Sequence, residues 1–321
     1  MTNVNSKLIT NYLLIILYSY IFVYLLPWED IKIFSDIENY LSRILYLSRG
    51  GEERTFSGLS ILSGEGLWKF ILLNIAHSGY DYKEFLYFIS FISLSIYAFF
   101  TIKRVNIILI LVFFLNPMFI DLIMGQIRIA LAFSLLLIAY EMKSKKIALA
   151  LLFSAIFIHT AALLIIGIYF ILFRMSLLFR TRKYFLYSII FALIVSLFLK
   201  YGIDILLVGL DDKRVNYSSV IKASSISYSL FWFLITLILV LKAKFGNEKN
   251  NIIIAFSIVM MSIFFFSSLI GSYGQRYVAI SIPLIVISIN YLPKYYREGT
   301  FILFGIYQLL QLIYWTKYQI I

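Results

Sequence analysis

The apolar run LLFSAIFIHTAALLIIGIYF, residues 151–170, contains a histidine, His159, near its centre. An imidazole in a hydrocarbon environment needs a polar partner. Basic residues flank the run at 143–146 and 174–183, and the positive-inside rule places both clusters in the cytoplasm. The 27 residues between them, 147–173, are too few for two crossings of about 20 residues each. We therefore predict a re-entrant helical hairpin with arms of about 12–14 residues and His159 at its tip. One long tilted span is the alternative.

The composition indicates a membrane protein. The chain has 321 residues, of which 62% are hydrophobic and 14% are charged, whereas soluble domains are about half apolar and a quarter charged. The net charge of +12 is carried by short basic clusters between apolar runs, which the positive-inside rule explains without nucleic acid. The chain has no cysteine and only two histidines, so we expect neither a disulfide nor a metal site.

The apolar pattern predicts an all-α, polytopic integral membrane protein with about nine full spans. The shorter apolar stretch 66–77 predicts an interfacial or re-entrant helix. No cleavage site follows the first span, and neither a repeat nor a linker divides the chain, so we predict a single transmembrane domain, 1–321. The spans are predicted at 8–26, 84–101, 105–119, 124–141, 184–199, 228–241, 251–270, 276–292 and 300–316.

Five basic loops should face the cytoplasm, which leaves two longer loops, 27–83 and 200–228, facing outward. The basic loops contain Lys103 and Arg104; Lys143, Lys145 and Lys146; Arg174, Arg180, Arg182 and Lys183; Lys242, Lys244 and Lys249; and Lys294 and Arg297.

Several polar residues are predicted at the outer ends of spans, at the same depth as His159. Arg128 lies in GQIRIALAF two residues after Gln126, and Arg276 lies in GSYGQRYVAI three residues after Tyr273. An arginine inside a span is costly unless it is paired or hydrated, and its guanidinium can hold phosphate bidentately. The glycines before Arg276 would let the backbone approach a ligand. Snorkelling to the outer surface is the alternative for Arg128.

Glu65 is the outer-loop carboxylate most suited to a site, because GEGLWKF places it at the entry to the stretch 66–77. The alternative is a helix N-terminal charge that complements the dipole. His77, in IAHSGY, is interpreted as an interfacial or capping residue.

These segments resemble a family, the EpsG-like group of Wzy-type bacterial polysaccharide polymerases. GQIRIALAFSLLLIAYEMKSKK (125–146) followed by ALLFSAIFIHTAALLI (150–165) is similar to the family's I-R-Q-G-L-A-like opening of a span, its basic turn and its short helix ending in F-H-x-S/T-A. GEGLWKFILLNIAHSGYDYKEF (64–85) and the late arginine of GSYGQRYVAI resemble further family segments. Ile129 and Ala130 replace the usual Gln-Gly, and Gly66 stands where proline is common.

The resemblance implies glycosyl transfer at the outer face of the bacterial plasma (inner) membrane. The growing chain would leave its undecaprenyl pyrophosphate and be attacked by a sugar hydroxyl of the next lipid-linked oligosaccharide. His159, Arg128 and Glu65 would be catalytic, and Gln126, Arg128, Arg276 and Tyr273 would bind substrate. No cofactor and no metal is expected. The lipid bilayer, a flippase and a chain-length regulator are the expected partners.

Three other readings remain open from the sequence. A ligase-like transferase would use the same lipid-linked donor with another acceptor, as in O-antigen ligation. A transporter of lipid-linked sugars or small molecules would also carry intramembrane charges and broken helices. A membrane scaffold would need His159 only as a structural residue.

Overall fold

The computed structural model describes residues 2–28, 34–51, 65–179, 181–202 and 225–318. These residues form α-helices and contain no β-strand, which confirms the all-α prediction. The helices are α1 (Thr2–Tyr20, extended by a π-helical turn at Ile21–Leu25), α2 (Ser35–Ser48), α3 (Gly66–Ser78), α4 (Tyr82–Ile102), α5 (Ile107–Phe113), α6 (Pro117–Met124), α7 (Ile127–Glu141), α8 (Lys145–Ile158), α9 (Ala161–Leu178), α10 (Lys183–Tyr201), α11 (Ile226–Lys242), α12 (Glu248–Leu269), α13 (Gln275–Asn290) and α14 (Lys294–Tyr318).

Several helices are long and apolar enough to cross a membrane, so the chain is a multi-pass helical membrane protein. Within the described ranges five helices meet this requirement, or six if a bent pair counts as one span. The five are α4, α9, α10, α12 and α14. Three shorter apolar helices lie at Ile9–Leu25, Ile226–Lys242 and Gln275–Asn290. The nine predicted full spans are therefore not confirmed, whereas the short helix predicted at 66–77 is present as α3.

The bent pair replaces the straight span that the sequence predicts at 105–119. α5 and α6 meet at an angle of 81°, because the Asn116 side chain caps α6 by accepting a hydrogen bond from the Met118 N–H and Pro117 begins the new helix. Asparagine and proline in this order favour a helix start. A second break separates α6 from α7 at Gly125 and Gln126, so the span predicted at 124–141 is helical only from Ile127.

The chain divides into two compact units, and the prediction of one domain over 1–321 stays a prediction. The first unit comprises residues 1–163 and 308–321, and the second comprises 164–307. In the first unit α4 packs against α1, α6 and α7, while α3 packs against both α2 and α8. In the second unit α12 is the central helix, since α10, α11 and α13 all pack on it.

The helix break predicted at the middle of 147–173 is confirmed, but one arm length is wrong. α8 ends at Ile158 and α9 begins at Ala161, so His159 and Thr160 form the break. α8 has 14 residues, whereas α9 has 18 and is long enough to cross a membrane. The longer arm arises because the helix continues for five residues beyond Phe173, through Arg174 to Leu178, into the segment predicted as a basic loop. The re-entrant path of this segment stays a prediction.

Contacts between loops group the basic clusters by unit. In the first unit Glu141 pairs with Arg104 and, at 3.2 Å, with Lys103, so the loops after α4 and α7 lie at one end. In the second unit Arg182 Nη2 donates to the Ala243 carbonyl at 3.3 Å. The Lys244 N–H donates to the Tyr291 carbonyl at 3.2 Å. The loops before α10, α12 and α14 therefore share an end of the second unit.

Candidate functional site

Glu65 is the centre of a polar cluster in the first unit. It immediately precedes α3, and its backbone lies in the left-handed region with φ 53° and ψ 53°. No other non-glycine residue in the described ranges has a positive φ. Only 6% of Glu65 is exposed, and a buried carboxylate requires partners. Because α3 packs between α2 and α8, both of these helices can supply them.

Two side chains donate hydrogen bonds to the Glu65 carboxylate. Nδ1 of His159 lies 2.5 Å from Oε1, and Nη1 of Arg128 donates to Oε2. A neighbouring guanidinium stabilises the ionised form of a carboxyl group, and an ionised carboxylate only accepts hydrogen bonds. The His159 ring therefore carries a proton on Nδ1. The sequence-predicted catalytic residues Glu65, Arg128 and His159 thus lie together.

Tyr40 on α2 holds Arg128 from the other side. Its hydroxyl oxygen accepts a hydrogen bond from Arg128 Nε at 3.0 Å, and the ring of Trp68 packs on the Tyr40 ring edge-on at 5.4 Å. Burial raises the pKa of the Tyr40 phenol and outweighs the opposite effect of the Arg128 guanidinium. Tyr40 is therefore a neutral phenol, and its hydroxyl also has a hydrogen to donate.

The contacts of Arg128 leave one donor group open. Nε and Nη1 are used by Tyr40 and Glu65, and Nη2 makes no hydrogen bond to the described part of the chain. An anion can therefore contact Nη2, and 30% of the Arg128 side chain is exposed. The bidentate phosphate contact predicted from the sequence stays a prediction.

His159 reaches Glu65 because the chain leaves helical geometry there. Its backbone is extended, with φ −151° and ψ 120°, and its N–H still donates to the Ala155 carbonyl as the C-cap of α8. The His159 carbonyl accepts from the Ala162 N–H at 2.9 Å, within the first turn of α9. The two helix ends thus position the ring, of which 12% is exposed.

Gln126 contacts the protein itself rather than an open site. Its Nε2 donates to Asp121 Oδ2 at 2.8 Å, and its backbone N–H donates to the Asp121 carbonyl. These bonds hold the turn from which α7 begins, two residues before Arg128. The predicted role of Gln126 in substrate binding stays a prediction.

Arg276 and Tyr273 lie in the second unit. The Arg276 guanidinium is 5.6 Å from the centre of the Tyr273 ring, and Arg276 is exposed at the start of α13. Their predicted action together with Arg128 stays a prediction. His77, the other histidine, is exposed, and its Nδ1 bonds to the Leu73 carbonyl at 2.7 Å in the last turn of α3.

The sequence analysis missed Tyr40 and Trp68. Tyr40 is one of 25 tyrosines in a chain rich in aromatic residues, so nothing in the sequence distinguishes it from the others. The spacing of Trp68 could have indicated it, because Trp68 is three residues after Glu65 on the helix that Glu65 begins. Among the described residues no three His, Asp or Glu side chains come together as a metal site requires.

Comparison with protein-family models, with curated proteins and with solved structures gave no match for this chain.

Proposed function

We propose that the chain joins oligosaccharides carried on undecaprenyl pyrophosphate. The observation that carries the proposal is the buried Glu65 carboxylate that bridges His159 and Arg128. This arrangement provides an imidazole, fixed by a carboxylate, beside a guanidinium with an open donor, and in the proposal the imidazole is neutral before the reaction. The reaction named by the family resemblance needs these two functions, a proton acceptor and a group that stabilises a phosphate leaving group.

In the proposed step, a sugar hydroxyl of the acceptor attacks the anomeric carbon of the donor chain. The new glycosidic C–O bond forms as the bond from the anomeric carbon to the pyrophosphate oxygen breaks, and the pyrophosphate keeps the electron pair. Nε2 of His159 takes the hydroxyl proton, and Glu65 stabilises the imidazolium through Nδ1. Nη2 of Arg128 donates to the departing pyrophosphate, whose charge rises in the transition state. Glu65 is then a positioning residue rather than the base.

The proposal includes the placement of the chain in its membrane. We place it in the bacterial plasma membrane with nine crossings, a re-entrant segment at 147–173 and the Glu65 cluster toward the outer face. The three shorter apolar helices, α7 and the bent pair of α5 and α6 would then serve as crossings together with α4, α10, α12 and α14. A flippase that delivers lipid-linked units and a chain-length regulator are the proposed partners. Transfer to another lipid acceptor, as in ligation, would use the same cluster and the same donor.

The test compares His159→Gln and His159→Ala with His77→Gln, which removes the exposed histidine as a matched control. The cells used must depend on this chain for their surface polymer. Loss of a general base lowers the rate by about 10²–10⁴-fold, so we expect both His159 variants to reach the membrane at normal levels and to make no long chains. The His77 variant should make chains of normal length on a polysaccharide gel.

Glu65→Gln separates the two roles open to the carboxylate. A positioning residue replaced by its amide keeps a hydrogen-bond acceptor for Nδ1, so polymer yield should fall less than in His159→Gln. A yield as low as that of Glu65→Ala would make Glu65 the base. Normal chain length in His159→Gln would overturn the assignment of His159. Lipid-linked units retained at the inner face in these variants would indicate transport instead of polymerisation.

A further inference from the structure

A basic cavity lies at the end of the second unit where α11 ends and α10 begins. Its volume is about 450 Å³. The lining residues are Arg182, Lys242, Ala243, Lys244 and Phe245. Three of these five carry a positive charge and none carries a negative charge, so the cavity is suited to an anion.

Two of the three cations are held in place by the protein. Arg182 Nη2 donates to the Ala243 carbonyl at 3.3 Å, which leaves other N–H groups of the guanidinium for a ligand. The Lys242 ammonium lies 4.8 Å from the centre of the Tyr296 ring. The positive-inside rule accounts for basic residues in a loop, but it does not require that they converge on a concave surface.

An apolar groove is linked to this cavity through Lys242, which lines the cavity and contacts the Tyr296 ring that lines the groove. It has a volume of about 360 Å³ and is lined by Ile238 of α11 and by residues of α14 that include Tyr296, Ile302 and Leu303. Ile302 is 64% exposed and Leu303 is 39% exposed. Glu298 also lines the groove, whereas no carboxylate lines the cavity.

We propose that the cavity and the groove together bind one anionic phospholipid. The headgroup phosphate accepts hydrogen bonds from Arg182, Lys242 and Lys244, and an acyl chain lies along Ile302 and Leu303. A free phosphate would need only the cavity, whereas the adjoining apolar groove matches a molecule with both a phosphate and a hydrocarbon chain. Basic pockets between transmembrane helices are suited to anionic lipid headgroups. The site is independent of the Glu65 cluster and of the proposed reaction.

The experiment measures lipid binding to the purified full-length chain in detergent by native mass spectrometry. Phosphatidylglycerol and zwitterionic phosphatidylcholine are the probes. The test variant is R182Q/K242Q/K244Q, and the matched control K143Q/K145Q/K146Q removes the same charge from exposed positions just before and at the start of α8 in the first unit. Since each basic residue near a headgroup contributes about fivefold in affinity, we expect the test variant to bind phosphatidylglycerol on the order of 100-fold more weakly. The control should bind it as the wild type does.

Three results would overturn the proposal. They are equal losses in both triple variants, equal binding of phosphatidylcholine and phosphatidylglycerol by the wild type, and displacement of phosphatidylglycerol by an excess of inorganic phosphate. If the triple variant does not fold, Lys244→Gln replaces it, because the described structure shows no side-chain contact for Lys244. We expect about fivefold weaker binding for that variant, and unchanged binding would count against the site.

Discussion

The backbone of Glu65 lies in the strained left-handed region, and each oxygen of its carboxylate accepts a hydrogen bond. A residue with a side chain in the left-handed region costs about 1–2 kcal/mol relative to the right-handed helix, and glycine, which avoids this cost, flanks Glu65 on both sides in the sequence. Such strain persists where the surrounding structure imposes it, and it is frequent at functional sites. Here the αL conformation accompanies contacts to both His159 and Arg128. These contacts give a reason for glutamate at a position that favours glycine.

Arg128 tests whether the cluster needs a guanidinium or only a positive charge. Lysine has one ammonium group and cannot donate to Tyr40, to Glu65 and to a phosphate with the geometry of a guanidinium. We expect Arg128→Lys to reduce polymer yield sharply at an unchanged protein level.

Tyr40→Phe removes only the acceptor for Arg128 Nε and keeps the ring that packs on Trp68, so it should lower the free energy of unfolding by on the order of 1 kcal/mol.

Polymer gels and thermal melts in detergent measure these two effects. Tyr40→Phe is the matched comparison, because it removes one contact of Arg128 and leaves the guanidinium in place. Full activity of Arg128→Lys would contradict a role for the guanidinium in binding the leaving group.

At the residue scale, the sequence predicts charged members of the cluster better than neutral ones. His159 and Arg128 are conspicuous because each interrupts an apolar run, and polar groups in such runs need partners. Which donor meets which acceptor depends on the packing of α2, α3, α7 and α8, which hydropathy does not encode. The contacts that Glu65 and Tyr40 make with two of the three nitrogens of Arg128 were for this reason not predicted.

Among the helices, the break within 107–124 shows that a hydropathy pattern does not reveal a sharp change of helix direction. The segment is apolar on both sides of Asn116 and Pro117, so an average over about 20 residues passes through the break. The 81° bend depends on one capping side chain and one proline. The break at His159 was predicted because the charge pattern around it, and not hydropathy, required the chain to turn.

Gly274, before α13, is close to the protein's own backbone. A Cβ atom added there would lie 2.8 Å from the Phe264 Cα of α12 and 3.0 Å from the Ser267 Cβ. At Gly274 the close approach is to α12, whereas nothing lies within 4 Å of a Cβ added at Gly271, where approach to a ligand stays a prediction. Since backbone cannot move aside as a flexible side chain can, we expect Gly274→Ala to lower the free energy of unfolding by about 1–3 kcal/mol.

The matched control for Gly274→Ala is Gly305→Ala in α14, where no atom lies within 4 Å of the added Cβ. Alanine has the higher helix propensity, so this variant should be neutral or more stable by up to about 1 kcal/mol. Denaturant titration in mixed micelles measures both variants. Equal stability of Gly274→Ala and the wild type would show that α12 and α13 separate without cost.

For the whole molecule, the positive-inside rule predicts on which side of the membrane each basic loop lies, whereas the contacts group these loops only within each unit. Contacts place two basic loops at one end of the first unit and three at one end of the second. The rule puts all five in the cytoplasm. That outcome requires the segment 147–173, which contains the boundary between the units at 163–164, to enter the membrane and return on the same side. An α9 of 18 residues is long enough to cross instead, so helix length alone does not decide between the two paths.

Single cysteines decide the path, since the natural chain has none. Ser144 is exposed beside the basic cluster before α8, and Leu178, at the end of α9, is 76% exposed. We expect Ser144→Cys and Leu178→Cys to react with a membrane-impermeant maleimide only after the cells are permeabilised, because both adjoin basic clusters. Tyr80→Cys, at a site that is 74% exposed within the predicted outer loop 27–83, should react in intact cells. Reaction of Leu178→Cys in intact cells would mean that α9 crosses and that Arg182, Lys242 and Lys244 face outward, against the positive-inside rule.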